Sequence, residues 1–183
     1  LAERSEIVQD RSGDWIEAGL TDWNTLPPRV DAVIAERLCK LPPHCRDLLK
    51  AASVQGETII AEILATVLGA NLAKTRELLS EVLFMQHHLV DALSLYQIEG
   101  ASVTRYGFHH SLIQGHLYQS LDPIQRVVLH QKTGEALEAL ASHPNSSFSG
   151  LEAGAANLAW HFEQAGLAEK AADYLLRAGR QAY

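Results

Sequence analysis

The chain is short of the residues on which much protein chemistry depends. It has two cysteines, one methionine and an aromatic content of 7%. Cys39 and Cys45 have no second pair to complete a zinc site, and we read them as reduced thiols packed in a core. No window approaches the roughly eighteen consecutive apolar residues of a membrane span, and no charged-then-apolar leader precedes a small-residue cleavage site. A soluble, cytoplasmic protein with no membrane partner is the expectation. Positive charge is equally scarce. Residues 1–28 carry two basic and six acidic side chains, residues 29–120 eight and nine, and residues 121–183 five and seven, for a net charge of −7. A nucleic-acid binder needs cations to replace the counterions around phosphates, so nucleic acid is not an expected partner.

Local signatures of catalysis are missing too. There is no GxSxG elbow, no HExxH helix and no pair of carboxylates in apolar surroundings. There is no GxxxxGK[ST] loop whose amides would cradle phosphates, and no GxGxxG after a strand. Neither catalytic nor metal-ligating residues are assigned, and no cofactor is expected in this segment. Nine histidines invite a metal, but adjacent residues do not face one another, so the doublets His87-His88 and His109-His110 do not chelate by themselves.

What is present is apolar periodicity, carried by 47% hydrophobic residues in 183. Short β-favouring runs flank Arg11-Ser-Gly-Asp14, which predicts a small hairpin over 6–17. Leu26-Pro27-Pro28 stops any regular element, and a helix follows on Val30, Val33, Ile34, Leu38 and Leu41. Pro42-Pro43 closes it and opens a second with Cys45, Leu48, Leu49 and Ala52 on one face. Thr58 is the expected cap of a third helix through Leu68, with Gly69 at its exit. A fourth runs from Leu72 to Gln86. Leu89–Ile98 and Val103–Phe108 change to a strand period around Glu99-Gly100 and predict a hairpin. Helical period resumes at Ser111, and Asp122-Pro123 caps a long helix ending near Ser142. The proline-, serine- and glycine-rich stretch 143–150 is expected to be a loop. In the last block Ala159, Ala171 and Ala178 allow close helix approach while Phe162 and Tyr174 fill the space between, the spacing of a tetratricopeptide pair.

The fold expected is therefore mainly α. It comprises a hairpin and connector over 1–26, a winged-helix-like domain over 27–121, and tetratricopeptide-like antiparallel helices over 122–183. Helices followed by one hairpin is the winged-helix order, which raises DNA binding as a competitor. Its recognition-position helix, however, balances Lys74 and Arg76 with Glu77 and Glu81. The chain opens without Met and closes in a helical pattern, so it is expected to be part of something longer, with further repeats beyond Tyr183.

Four strings carry a family resemblance: Leu26–Leu38 with Leu49–Glu57, Tyr106–Tyr118, Arg126–His130 and Ala159–Gly166. In this order they resemble bacterial signal-transducing ATPases with numerous domains, the STAND class. The resemblance implies a place after a P-loop ATPase domain and before helical repeats, in a switch whose output is a nucleotide cyclase or a transcription activator. It implies ATP or ADP in the parent protein. The implied partners are the ATPase domain of the same chain, and a protein or small-molecule inducer received by the repeats. His110 matches the family's winged-helix histidine, which contacts the β-phosphate of bound ADP. Family members often carry a basic residue where Gly107 stands, so an auxiliary phosphate contact is absent here. Without the resemblance, His110 is a helix cap or a hinge residue, and Arg126 and His130, which also match family positions, are structural or interfacial. A DNA-binding winged helix with a dimerising tail and a peptide-binding repeat scaffold are the alternatives.

Overall fold

The computed structural model describes residues 7–9, 15–17, 28–98, 101–141 and 154–181. The expected hairpin turn at 11–14, the connector before Leu26 and the loop over 143–150 lie outside them. Among the described residues the chain is mainly helical, with one small three-stranded antiparallel sheet and a separate two-stranded pair. Strands β1 (Ile7–Gln9) and β2 (Trp15–Glu17) pair antiparallel with Val8 opposite Ile16, as the flanking β-favouring runs require.

Helix α1 (Pro28–Cys39) buries Ile34 and Leu38. Its C-terminal Cys39 is exposed, so only Cys45, on α2 (Pro43–Ser53), is the core thiol expected of both. Pro43 begins α2 where the first N–H groups lack intrahelical partners, and burial raises the Cys45 thiol above its ordinary range. The next element departs from expectation. Thr58 caps nothing: Thr58–Ile60 form strand β3, and helix α3 begins only at Ala61, ending at Leu68. Three β-branched residues in a row favour extended backbone, and β3 finds its ladder on a strand more than forty residues away, with Ile59 opposite Tyr106. Gly69 takes the left-handed conformation (φ 62°) that ends α3, with Ala70 N–H donating to Ala65 O.

Helix α4 (Leu72–Glu77) is capped by Asn71, whose side chain accepts from Lys74 N–H. It continues without a break as a π-helix over Leu78–Gln86, wider than the α-helix expected to Gln86. His87 N–H accordingly donates five residues back, to Val82 O, and His88 ends the segment at φ 49°, rare for a residue with a side chain. Strands β4 (Val90–Ile98) and β5 (Ala101–Phe108) form the expected hairpin, with a register shift between Ala92 and Ser94. The sheet order is β3-β5-β4. Helices α5 (Ser111–Gln119), α6 (Pro123–Ala141), α7 (Ala155–Gln164) and α8 (Ala168–Gln181) complete the chain. Asp122 Oδ1 accepts from Gln125 N–H at 2.8 Å, the cap expected of Asp122-Pro123.

Two hydrophobic cores result. Leu49, Leu64, Leu79, Leu83, Val90, Tyr106 and Leu117 sit in the first. Ile60, Ile63, Val67, Leu137, Leu158, Phe162 and Tyr174 sit in the second. Helix α3 serves both, Leu64 facing one and Ile63 and Val67 the other, which is why its short sequence is apolar nearly all round. None of the described helices is long and apolar enough to cross a membrane.

Candidate functional site

His110 stands at the junction of β5 and α5. Its extended backbone (φ −141°, ψ 136°) places it at the N-cap position of α5, but its side chain makes no capping bond. The ring is exposed and lies edge-on to the ring of His109, centroids 4.6 Å apart. His109 in turn meets Asp91, Nδ1 to Oδ2 at 2.9 Å. The His110 ring thus neither caps the helix nor lies in the core.

Beside it runs a groove of about 400 Å³ between α1 and α5, walled by Val33, Ile34, Arg37, Leu112 and Ile113. Val33 is 58% and Leu112 47% exposed, so the groove is apolar and open. Helix α1 is fastened on both sides of it. His116 Nδ1 lies 2.6 Å from Asp31 Oδ1, and Arg37 Nη2 donates to His87 O at 2.9 Å. The result is one cationic guanidinium and one imidazole at the edge of an apolar surface, an arrangement able to donate to an anionic oxygen. A phosphate contact is therefore compatible with the residues present.

Helix α4 has its cations engaged. Glu62, on α3, accepts from Arg76 Nη2 at 2.6 Å and Nε at 3.2 Å, and also from Thr104 N–H. Lys74 Nζ pairs with Glu77 Oε1 at 2.7 Å. Arg126 stacks over the Tyr118 ring and donates to Leu121 O and Gln119 O, closing the C-terminal end of α5.

Sequence reasoning missed a second cluster. His130 on α6 and His161 on α7 are both fully buried, Nδ1 to Nδ1 at 3.1 Å, and Tyr118 Oη lies 3.0 Å from His130 Nε2. Trp160 sets its indole edge-on to His130, centroids 4.9 Å apart. Burial holds His130 near pKa 4, helped by the positive charge of Arg126, and His161 near 3, so both rings are neutral at physiological pH. Only the apolar neighbours of each histidine hinted at burial; their meeting across 31 positions left no local signal. No group of three potential metal ligands occurs among the described residues.

No protein-family model matches the chain, and no solved structure matches it. A curated protein of Rhizobium meliloti (strain 1021), described only as uncharacterized, is 29% identical over 155 residues. The match covers 82% of this chain but 13% of that protein, so the chain spans a small part of the length of its relative.

Proposed function

We propose that the chain is a non-catalytic regulatory module of a larger signal-transducing ATPase of the STAND type. In this reading α2, β3, α3, α4, β4 and β5 make a winged helix, and α6 to α8 begin a tetratricopeptide-like array. The module closes over the ATPase domain in the ADP state and relays its release to the repeats. The observation that carries the reading is the uncommitted His110 ring at the lip of the α1–α5 groove. A side chain that is neither cap nor core is free to contact a phosphate presented by a docked domain, and the apolar groove beside it is a surface for that domain. A contact made only in the closed arrangement biases a two-state equilibrium, as a switch requires.

The test is the nucleotide that co-purifies with the full-length protein, released by denaturation and separated by ion-exchange chromatography. Wild type is expected to retain ADP. His110→Ala, which removes one charge-assisted hydrogen bond of about 1.5–3 kcal/mol, is expected to release it roughly tenfold faster or more. Equal retention by both proteins would assign His110 to another role.

A DNA-binding winged helix is the competing reading, supported by the order of elements. The engagement of Arg76 by Glu62 and of Lys74 by Glu77 weighs against it. In a low-salt mobility-shift titration we expect no salt-sensitive complex at micromolar protein. A tight complex that weakens steeply with salt would reverse the choice.

A further inference from the structure

We propose that strand β4 pairs edge to edge with β4 of a second copy of this chain, antiparallel, across a two-fold axis between Leu93 and Ser94. The two small sheets then join into one, in the order β3-β5-β4-β4-β5-β3.

The hydrogen bonds of β5 identify the backbone groups of β4 that point outward. Thr104 N–H donates to the Glu62 carboxylate on α3, and Phe108 N–H donates to Glu57 O, so both face away from β4. Tyr106, two residues before Phe108, shares its direction and lies opposite Ile59 of β3. Residues opposite one another in an antiparallel ladder either bond each other or both turn away. Ala92 lies opposite Tyr106 and Leu95 opposite Thr104, so the N–H and C=O of Ala92 and Leu95 turn to the outer edge. Among the described residues no strand lies beside that edge. Ala92 is exposed, as are Leu93 (53%) and Leu95 (62%). The strand has neither lysine nor proline, the residues that commonly keep an edge from pairing.

The bulge selects the partner. Ala92 lies opposite Tyr106 and Ser94 opposite Arg105, which leaves Leu93 as the extra residue. Its side chain folds over Gly107, where an added Cβ would stand 3.1 Å from Leu93 Cδ1. In a regular strand the outward groups recur at every second residue, but here two residues separate Ala92 from Leu95. A regular strand matched at Ala92 is therefore out of phase at Leu95. A second β4 carries the same irregular spacing. Turned antiparallel about the midpoint of Leu93 and Ser94, it sets its Leu95 against Ala92 and its Ala92 against Leu95, two reciprocal hydrogen-bonded pairs. Asp91, the only charged residue of β4, falls opposite Tyr96 of the second copy, so no like charges meet. The surface does not depend on the nucleotide reading.

Sedimentation equilibrium of the whole chain reads the association. A reversible dimer with a dissociation constant in the tens of micromolar is expected, because the ladder is short and the buried area small. Ala92→Pro removes an outward donor and leaves the bonds to β5 intact, and Leu95→Lys puts a cation on the edge. Each is expected to weaken the dimer about tenfold or more while melting as wild type. Cross-linking reads the register. In a Cys39→Ser background, Ser94→Cys stands beside the two-fold axis and is expected to form an intermolecular disulfide under mild oxidation, whereas Thr104→Cys, one strand further in, is not. A chain that stays monomeric at near-millimolar protein, a dimer unchanged by the folded edge variants, or a dimer without the Ser94→Cys cross-link overturns the proposal. The wild-type association and the cross-linking pattern decide it even where an edge variant does not fold.

Discussion

The melting temperature of the chain is expected to fall by roughly 10 °C between about pH 7.5 and about pH 5, before most carboxylates titrate. The cause is the buried pair His130 and His161, held neutral with pKa values near 4 and 3 against an ordinary 6.5. A histidine whose folded pKa is depressed contributes its full stability above the unfolded value. It loses that stability as the pH falls from there toward the folded value, because the unfolded chain takes up the proton that the folded chain refuses. Each ring then costs about 1.4 kcal/mol per pH unit below about 6.5, or about 4 kcal/mol for the two at about pH 5. A domain of this size shifts by about 2–4 °C per kcal/mol. Thermal unfolding followed by circular dichroism across this range reads the slope. His161→Leu removes one of the two titrations, so the slope should halve even though the variant also strands His130 Nδ1. A flat profile in wild type would mean that the rings meet solvent in solution.

Phe162→Ala is expected to cost about 3–5 kcal/mol, the largest loss from any single side chain in the second core. Phe162 is fully buried and stacks on Tyr174 with ring centroids 5.6 Å apart, while Lys170 Nζ lies over its ring, 4.7 Å from the centroid. On the α6 side the ring meets bare backbone. A Cβ added at Gly134 would stand 3.0 Å from Phe162 Cε1. Gly134→Ala tests which effect dominates there. Alanine improves helix propensity by about 1 kcal/mol, yet a ring packed this closely has little room to give. A net destabilisation of about 1–2 kcal/mol is expected. Combining Gly134→Ala with Phe162→Leu should recover part of the loss, since the smaller side chain makes room. Denaturant titration of the four proteins gives the coupling energy, and strictly additive effects would show that the two residues do not share that space.

Both predictions concern the helical tail, where the sequence was most readable. Ala159 and Ala171 are buried at the α7–α8 approach and Phe162 stacks on Tyr174, the arrangement that their spacing implied. Gly166 at φ 73° makes the turn between the helices, with Leu167 N–H returning to Phe162 O. The β4–β5 hairpin and the proline-marked helix starts were equally legible, because each is set by residues within a few positions of one another.

Where long-range partners decided, local reading failed. Ile59 and Ile60 fit a helical stripe with Ile63 and Leu64 as well as they fit a strand. Only the unpaired edge of β5 made Thr58–Ile60 the third strand of the sheet. The widening of Leu78–Gln86 into a π-helix has no marker in its composition. The wider turn keeps Leu79 and Leu83 in the core while the chain leads into β4.

By itself the sequence determined the apolar periods, the turns and caps, the acidic balance and the lack of any local catalytic signature. All of these depend on neighbours along the chain. Tertiary structure alone decided that Arg76 is held by Glu62 and that His130 meets His161. It also decided that the side chain of His110, at the start of a helix, makes no capping bond. Burial and hydrogen-bond pairing are properties of the packed whole, because the atoms that exclude water from a side chain, or bond to it, come from distant parts of the chain.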